Sequence, residues 1–469
     1  MVKPLLDANF IASTLGPVLH KQSGPDKRFA RAVVDSREVK PGDLFVALPG
    51  RHTDGHDFVA DAIERGASGL LLERIAAAEL PHDTAVFLVR DALQGLQLTA
   101  TAWRAALSEI DVVGITGSVG KTTTKLMATS VLERTYRVRS SELNYNNEIG
   151  VPLCLLELDH TIQRTVIEHG MYTRGEITQL CSWTNPRIGV VLNVGPVHIQ
   201  RAGSLEAIAL AKRELVEALP SDGHAVLNLD DPIVAEMAQY TTAQICHFGS
   251  GADADVRGTE VKSAGASGFT FMLEAYGERS RVKTSLPGTH LLLNVLAAAS
   301  VGLIDGVPFQ EVVSSLETLE IPLRLTIRRL PGGITLLDDT YNASPAATLA
   351  ALDLLAALPG RKLALLGDML ELGGLAGPSH AAVGRRAAEV VDTLFTVGDL
   401  ARSIAVAASD AGLDSARHLA SKDEAARTLR EALRPGDALL VKGSRALALE
   451  TVVAHLESEL ACAGGAAPR

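Results

Sequence analysis

The run Gly114-Ile-Thr-Gly-Ser-Val-Gly-Lys-Thr-Thr-Thr124 constrains what this chain can fold into more than any other stretch. It follows Ile110-Asp-Val-Val113, a short β-branched run suited to a buried strand. It precedes Lys125-Leu-Met-Ala-Thr-Ser-Val-Leu132, which reads as helix. A strand, a glycine turn, a lysine with hydroxyls and then a helix make a phosphate cradle. Glycines let backbone N–H groups close on anionic oxygens, the helix N-terminus adds positive potential, and the lysine neutralises charge. The standard phosphate-loop spacing fails, because Ile115 stands where the first glycine should be, and the order is the variant Thr116-Gly-Ser-Val-Gly-Lys-Thr122. An ordinary glycine turn is the alternative; Lys121-Thr122 in register with a helix favours a nucleotide site.

The 469-residue length leaves room for about two to four domains. With 47% hydrophobic but only 4% aromatic residues, their cores must be built from Ala, Leu and Val. The net charge of −11 argues against a general nucleic-acid or anionic-membrane surface, while leaving a local basic pocket open. Cys154, Cys181, Cys246 and Cys462 are widely spaced with no CxxC pair, so buried, reduced thiols are expected rather than disulfides or a zinc site. The N-terminus lacks a basic start followed by an apolar region, and the longest apolar stretch, around Leu291 to Ile304, is too short to span a bilayer. A cytoplasmic protein without membrane insertion, and a monomer, is the expectation.

Taken in order, residues 1–105 read as a small α/β unit. Ala32-Val-Val-Asp-Ser-Arg37 is a strand ending in polar groups, Asp57 to Gly66 an amphipathic helix, and Gly69-Leu-Leu-Leu72 a strand. Asp35-Ser-Arg37 offers an acceptor, a hydroxyl and a guanidinium suited to a uracil or a diphosphate; a solvated turn is the alternative. Residues 106–319 carry the phosphate loop and the strands Arg164–Glu168, Ile188–Val194 and Ala225–Asn228, whose uninterrupted apolar character suits a parallel, doubly wound sheet. Ligands of such sheets gather at the strands' carboxyl ends, where Lys121, Thr122, Glu168 and His198 would converge. Ser204 to Leu219 is a helix on which Lys212 reads, by pattern alone, as one more solvated charge. Asp253 to Lys283 looks like an antiparallel addition, and Asn294, inside an apolar helix, needs a partner that a ligand would supply. Residues 320–469 repeat the strand–helix alternation with strands at Ile334–Thr340, Lys362–Leu366, Thr393–Val397 and Asp437–Val441, ending in a Gly/Ala-rich tail after Cys462 expected to be disordered.

Set side by side, these motifs resemble the Mur ligases, ATP-dependent amide-forming enzymes of peptidoglycan precursor synthesis. The resemblance rests on the off-register loop Thr116 to Thr123; on Asp35-Ser-Arg37 with Pro41 to Leu48 and Asp54 to Phe58; and on Asn144-Tyr-Asn-Asn-Glu-Ile-Gly-Val-Pro152, Asp338-Asp-Thr-Tyr-Asn-Ala-Ser-Pro345, Leu366 to Gly373 and Val441-Lys-Gly-Ser-Arg445. It implies a mixed α/β fold of three domains: a small N-terminal α/β domain for the UDP-sugar, a central P-loop ATPase domain, and a C-terminal Rossmann-like domain for the incoming D-alanyl-D-alanine. The last four motifs imply the member that adds this dipeptide to UDP-N-acetylmuramoyl-tripeptide through an acyl phosphate.

The resemblance also implies roles. Thr116, Gly117, Ser118, Val119, Gly120, Lys121, Thr122 and Thr123 would hold ATP phosphates. Thr122, Glu168, His198 and Lys212 would serve two magnesium ions, with Lys212 carried as a carbamate. His290 and Asn294 would face adenine, Arg324 a phosphate and Asp339 the ribose. Ser36 and Arg37 would face the UDP portion, Asn146 and Asn147 the muramoyl side, and Asn342, Ser344 and Lys442 the dipeptide. Leu291 replaces an asparagine usual after His290, and His169 replaces a commoner apolar residue. The rivals are a sibling ligase that adds the third amino acid, whose Asp-Asn-Pro-Arg motif is missing here, and a P-loop nucleotide switch, which leaves the third domain's motifs without a purpose.

Overall fold

The short apolar strands assemble into three sheets, each mostly parallel, in a computed structural model whose described residues are 5–50, 53–75, 80–142, 145–197, 199–322 and 324–464. The first contains β1 (Leu19–Ser23), β2 (Ala32–Val33), β3 (Leu44–Val46), β4 (Gly69–Leu72) and β5 (Ala85–Val89), in the order β1-β5-β4-β3-β2. Only β1 is antiparallel to its neighbour. Its second strand stops at Val33, because the Asp35 carboxylate accepts the Arg37 N–H and turns the chain into a short 3-10 segment, Ser36–Glu38.

The second sheet contains β6 (Asp111–Thr116), β7 (Val138–Ser140), β8 (Arg164–Glu168), β9 (Ile188–Val191), β10 (His224–Asn228), β11 (Gln244–Gly249), β12 (Val256–Ser263), β13 (Phe269–Ala275) and β14 (Glu278–Thr284). Its order is β14-β13-β12-β11-β10-β9-β6-β8-β7. Strands β7 to β11 are parallel with β6 among them, and the antiparallel addition foreseen for residues 253–283 is the meander β12-β13-β14. The third sheet contains β15 (Thr326–Leu330), β16 (Ile334–Asp339), β17 (Lys362–Gly367), β18 (Thr393–Val397), β19 (Ala416–Leu419) and β20 (Ala438–Lys442), in the order β15-β16-β20-β17-β18-β19. Its two edge strands, β15 and β19, escaped the sequence pattern. Both are half-exposed and polar (Arg328 and Arg329; Arg417 and His418), without the continuous apolar run of a strand covered on both faces.

Packing fixes the phosphate loop from both sides of the second sheet. On one face the helices Lys121–Leu132 and Leu292–Ile304 bury Met127, Val131, Val295 and Val301 against Val113 and Ile115. On the other, helices Glu176–Thr184 and Leu205–Glu217 bury Ile177, Cys181, Ala211 and Leu215 against Val191 and Leu227. The core of the first sheet runs on into the second, since Leu71, Phe87, Trp103, Val112 and Ile167 belong to one cluster. The helix Ala92–Ala106 makes that join. Trp103 Nε1 donates to the Leu158 carbonyl at 2.9 Å, and the buried Arg104 guanidinium spends its donors on the carbonyls of Thr184, Leu107 and Ile110. Cys154, Cys181 and Cys246 are buried free thiols; the Cys462 side chain and the tail residues 465–469 lie outside the described ones. Among the described residues no helix is long and apolar enough to cross a membrane.

The two helices on the loop-bearing face approach closely because Gly302 has no side chain: a Cβ there would sit 2.3 Å from Val131 Cγ1. Gly302→Val therefore overpacks this contact and is expected to destabilise the fold by about 1–3 kcal/mol, read as a lower midpoint in urea unfolding.

Candidate active site

Strand β6 lies between β8 and β9, so the chain leaving Thr116 enters the crevice where neighbouring strands diverge. Gly120 closes the turn at φ 89° and caps the helix Lys121–Leu132. A side chain is excluded there twice over, by the backbone angle and because a Cβ would lie 2.3 Å from Asn294 Nδ2. Asn294 donates to the Gly120 carbonyl at 3.3 Å and to Thr124 Oγ1 at 2.9 Å, so the partner foreseen as a ligand is the loop itself. Asn193, at the end of β9, holds the other side: its backbone carbonyl accepts from Ser118 N, its side-chain oxygen accepts from Val119 N, and its amide donates to the Val119 carbonyl. Ser118 Oγ donates to the Gly195 carbonyl and Thr116 Oγ1 to the His169 carbonyl. The helix's first amides, at Lys121 to Thr123, have no carbonyl within the helix to pair with and present the anion site.

Lys121 Nζ donates to the Gly117 carbonyl at 2.6 Å, curled over the loop it serves. Thr122 Oγ1 accepts from Arg324 Nη2 at 2.9 Å, and the Arg324 guanidinium stacks 4.2 Å from the centroid of the Tyr341 ring. A cation from the segment leading into the third sheet thus reaches the nucleotide loop. Burial lowers the Lys121 ammonium below the ordinary lysine range; Glu168 opposes that shift and Arg324 adds to it.

Glu168 is buried at the end of β8. Its Oε1 lies 3.3 Å from Lys125 Nζ and has no hydrogen-bond partner. Lys212 corrects the pattern reading: it is 3% exposed and makes no hydrogen bond or ion pair with any other described residue. Burial first, and the Lys121 charge second, hold it well below the usual lysine range. The next residue after Glu168 projects to the opposite face, as strand alternation requires. His169 lies there in the core over Gly114, with its Nε2 3.2 Å from Thr184 Oγ1 and its Nδ1 3.8 Å from Cys181 Sγ. Burial drops it to about 3, which makes it a neutral packing residue. His198 lies outside the described residues. Among those described, no three His, Cys, Asp or Glu side chains gather as a metal cage.

A cavity of about 280 Å³ opens beside Lys121, lined by Asn146, Asn147, Gly170, Tyr172 and Glu176 among others. The Asn146 carbonyl accepts from Gly170 N at 2.8 Å. Asn147 Oδ1 caps the helix Gly150–Leu156 by accepting from Gly150 N, which leaves its amide to donate. In the third sheet, Lys442 Nζ donates to Asp339 Oδ2 at 2.6 Å and to the Asn342 carbonyl at 2.8 Å, joining residues expected to serve different substrates into one buried pair. Burial raises the Asp339 carboxyl against the pull of Lys442. Ser344 Oγ caps the helix Pro345–Ala356. His290 is exposed in the turn before the helix Leu292–Ile304, whereas Leu291 packs into the core, which accounts for an apolar residue there. Ser36 is buried and Arg37 is exposed in an ion pair with Asp35, and no described hydrogen bond joins either to the phosphate loop. Sequence reading missed Lys125, although a residue one helical turn beyond Lys121 shares its face.

Comparison with known proteins returns three matching families in chain order: the Mur ligase family, catalytic domain, over residues 32–99; the Mur ligase middle domain over 115–302; and the Mur ligase, glutamate ligase domain, over 323–445. The chain is 37% identical over 439 residues to a UDP-N-acetylmuramoyl-tripeptide–D-alanyl-D-alanine ligase of Synechocystis sp., covering 92% of this chain and 93% of that one. It is 33% identical over 445 residues to the Escherichia coli protein of the same name, covering 94% and 96%. Among solved structures it is similar to MurF from Acinetobacter baumannii (TM-score 0.86, 30% identity, 97% of this chain and 100% of that one). It is also similar to MurF ligase from Thermotoga maritima in complex with ADP (TM-score 0.79, 30% identity, 92% and 98%).

The loop geometry makes a direct prediction. Gly120→Ala forces the turn against Asn294, and calorimetry should show ADP affinity reduced by at least about tenfold with the far-UV circular dichroism unchanged. Unchanged ADP affinity would mean that the turn at Gly120 does not shape the phosphate site.

Proposed function

The chain belongs to the Mur ligase family, and we propose that it joins D-alanyl-D-alanine to UDP-N-acetylmuramoyl-tripeptide, with ATP cleaved to ADP and phosphate. One observation carries this reading: Lys121 belongs both to the phosphate loop and to the wall of the adjoining cavity, so a carboxylate held in that cavity meets the terminal phosphate of a nucleotide held in the loop. In this function residues 1–105 take the UDP-sugar portion, with Ser36 and Arg37 facing it. Residues 106–319 take ATP and the muramoyl peptide, the latter with Asn146 and Asn147. Residues 320–469 bring the dipeptide, with Asn342, Ser344 and Lys442 around it.

Amide formation from a carboxylate is uphill at neutral pH, so the carboxylate must first be activated. The tripeptide's terminal carboxylate oxygen attacks the γ-phosphorus of ATP; the bond to the β–γ bridging oxygen breaks, giving an acyl phosphate and ADP. The Lys121 ammonium moves from the Gly117 carbonyl to the transferring phosphoryl group, and the helix amides and Arg324 share the remaining negative charge. The free amine of D-alanyl-D-alanine then attacks the acyl carbon, loses a proton, and expels inorganic phosphate. Asn294 and His290 face the adenine, and Asp339 faces the ribose once Lys442 yields it.

The residues present suit magnesium. Glu168 holds a buried oxygen without a hydrogen bond, and the Thr122 hydroxyl lies on the loop, oxygen donors of the kind magnesium takes beside phosphate and water. Thr122, Glu168, His198 and Lys212 would hold two such ions, which when bound would neutralise phosphate charge. Lys212 fits as a carbamate, because a buried amine that no other described residue engages is available to carbon dioxide and the product is an anionic oxygen ligand.

Phosphate release should therefore require both UDP-muramoyl tripeptide and D-alanyl-D-alanine, with the pentapeptide product visible by mass spectrometry; release independent of the dipeptide, with no such product, would overturn the assignment. Lys212→Ala should lower turnover by roughly a hundredfold or more, with partial recovery on adding a short carboxylic acid. Full activity in the variant would reject the carbamate.

A further inference from the structure

Lys125 is 1% exposed and lies one turn along the helix from Lys121. A lysine buried this deeply carries a large desolvation penalty, which is met only when its protons are taken. Two are taken here, by the Ser141 carbonyl at 2.5 Å and the Glu142 carbonyl at 3.3 Å, and Glu168 Oε1 lies 3.3 Å from Nζ as counter-charge. These partners come from separate elements. Glu168 ends β8. Ser141 and Glu142 follow β7 and precede Asn146 and Asn147 on the wall of the cavity. Ser141 is laced to β8 as well, its N–H donating to the Val166 carbonyl and its hydroxyl oxygen accepting from Glu168 N at 3.5 Å. One ammonium therefore joins the nucleotide helix, the metal-side carboxylate and the segment leading to the cavity.

We propose that Lys125 is a positioning residue for the ligation: it sets the Glu168 carboxylate and the Ser141–Glu142 segment together, so that a nucleotide held by the helix and a carboxylate substrate held by the cavity share one frame. An apolar residue would serve core packing equally well, whereas an ammonium with two hydrogen bonds to backbone carbonyls and a carboxylate beside it specifies orientation. Without it the Glu168 carboxylate loses the cation beside its Oε1, and the segment leading to Asn146 loses its tie to the nucleotide helix. Lys125 touches no substrate in this arrangement and acts through Glu168 and through the chain at Ser141. The identity of the cavity's occupant rests on the ligase reading; the geometry does not.

The test is Lys125→Met, with Lys125→Arg as the charge-retaining variant. ADP affinity by calorimetry and the far-UV circular dichroism report whether the fold and the phosphate loop survive. In folded Lys125→Met, KM for UDP-muramoyl tripeptide should rise at least about tenfold and kcat should fall, with KM for D-alanyl-D-alanine within about twofold of the parent enzyme. The affinity for Mn²⁺ in the presence of ADP, read from the paramagnetic resonance of free Mn²⁺, should fall about tenfold or more. Lys125→Arg should recover part of both. Equal losses toward all three substrates, or an unchanged KM for the muramoyl substrate together with unchanged Mn²⁺ affinity, would overturn the proposal. If Lys125→Met does not fold, Lys125→Arg decides by the same pair of measurements, since a displaced cation should raise that KM while sparing ADP affinity. Failure of the parent enzyme to form pentapeptide would instead overturn the ligase reading, and the Mn²⁺ and ADP measurements would still decide on Lys125.

Discussion

The left-handed turn at Gly120, clasped by Asn294, is the constraint on which the rest of the site depends. It aims the first amides of the helix Lys121–Leu132 at one point, and it has room for no side chain. Everything that defines the site is fixed relative to that point. Asn193 holds the loop's outer limb, the helix Leu292–Ile304 supplies Asn294 from across the close contact at Gly302, and Arg324 reaches Thr122 from the approach to the third sheet. A loop held by side chains from several elements is preorganised: its amides need no rearrangement when an anion arrives.

Charge is concentrated around this turn in a way the whole-chain balance conceals. The chain carries a net −11, yet Lys121 has Arg324 and Lys212 as cationic neighbours, and Lys125 lies beside the buried Glu168. Crowded positive charge repels itself and becomes favourable when phosphates lie among the cations. The depressed basicity of Lys121 and Lys212 shows the same crowding from the proton's side: burial comes first in both, with the Arg324 charge adding to it at Lys121 against the pull of Glu168, and the Lys121 charge adding to it at Lys212. The lysines also differ in their partners. Lys121 rests on a carbonyl that it can leave, Lys125 is held by two backbone carbonyls beside a carboxylate, and Lys212 has no hydrogen-bond or ion-pair partner among the described residues. That difference sets a lysine free to move apart from one tied in place and from one left unengaged by the described residues.

Features written in local sequence were legible in advance. The phosphate loop needs glycines, a lysine and a hydroxyl within a few residues, and they are adjacent in the chain; likewise the apolar runs of β8, β9 and β10 and the Ser204 cap announce themselves. What stayed hidden depends on packing between distant segments. Lys212 sits among charged residues in the helix Leu205–Glu217, and nothing in that pattern says that it turns into the crevice rather than toward water. Lys125 looks like an ordinary helix charge until β7 and β8 bring Ser141 and Glu168 to it. His169 follows the buried Glu168 but points into the core, where the missing side chain of Gly114 makes space. The edge strands β15 and β19 lack an apolar signal because each is covered on too few sides to need one. The Asn294 partner was correctly demanded by burial, and chain topology supplied it from the loop.

The central claim is that the loop and the adjoining cavity activate a carboxylate by phosphorylation. It is tested most directly by following oxygen. UDP-muramoyl tripeptide labelled with ¹⁸O in its terminal carboxylate, turned over with unlabelled ATP and D-alanyl-D-alanine in unlabelled water, should yield inorganic phosphate carrying one ¹⁸O atom from a fully labelled carboxylate, because that carboxylate oxygen leaves with the phosphoryl group. Phosphate free of label, formed alongside the peptide product, would contradict an acyl phosphate and with it the role assigned to the shared position of Lys121.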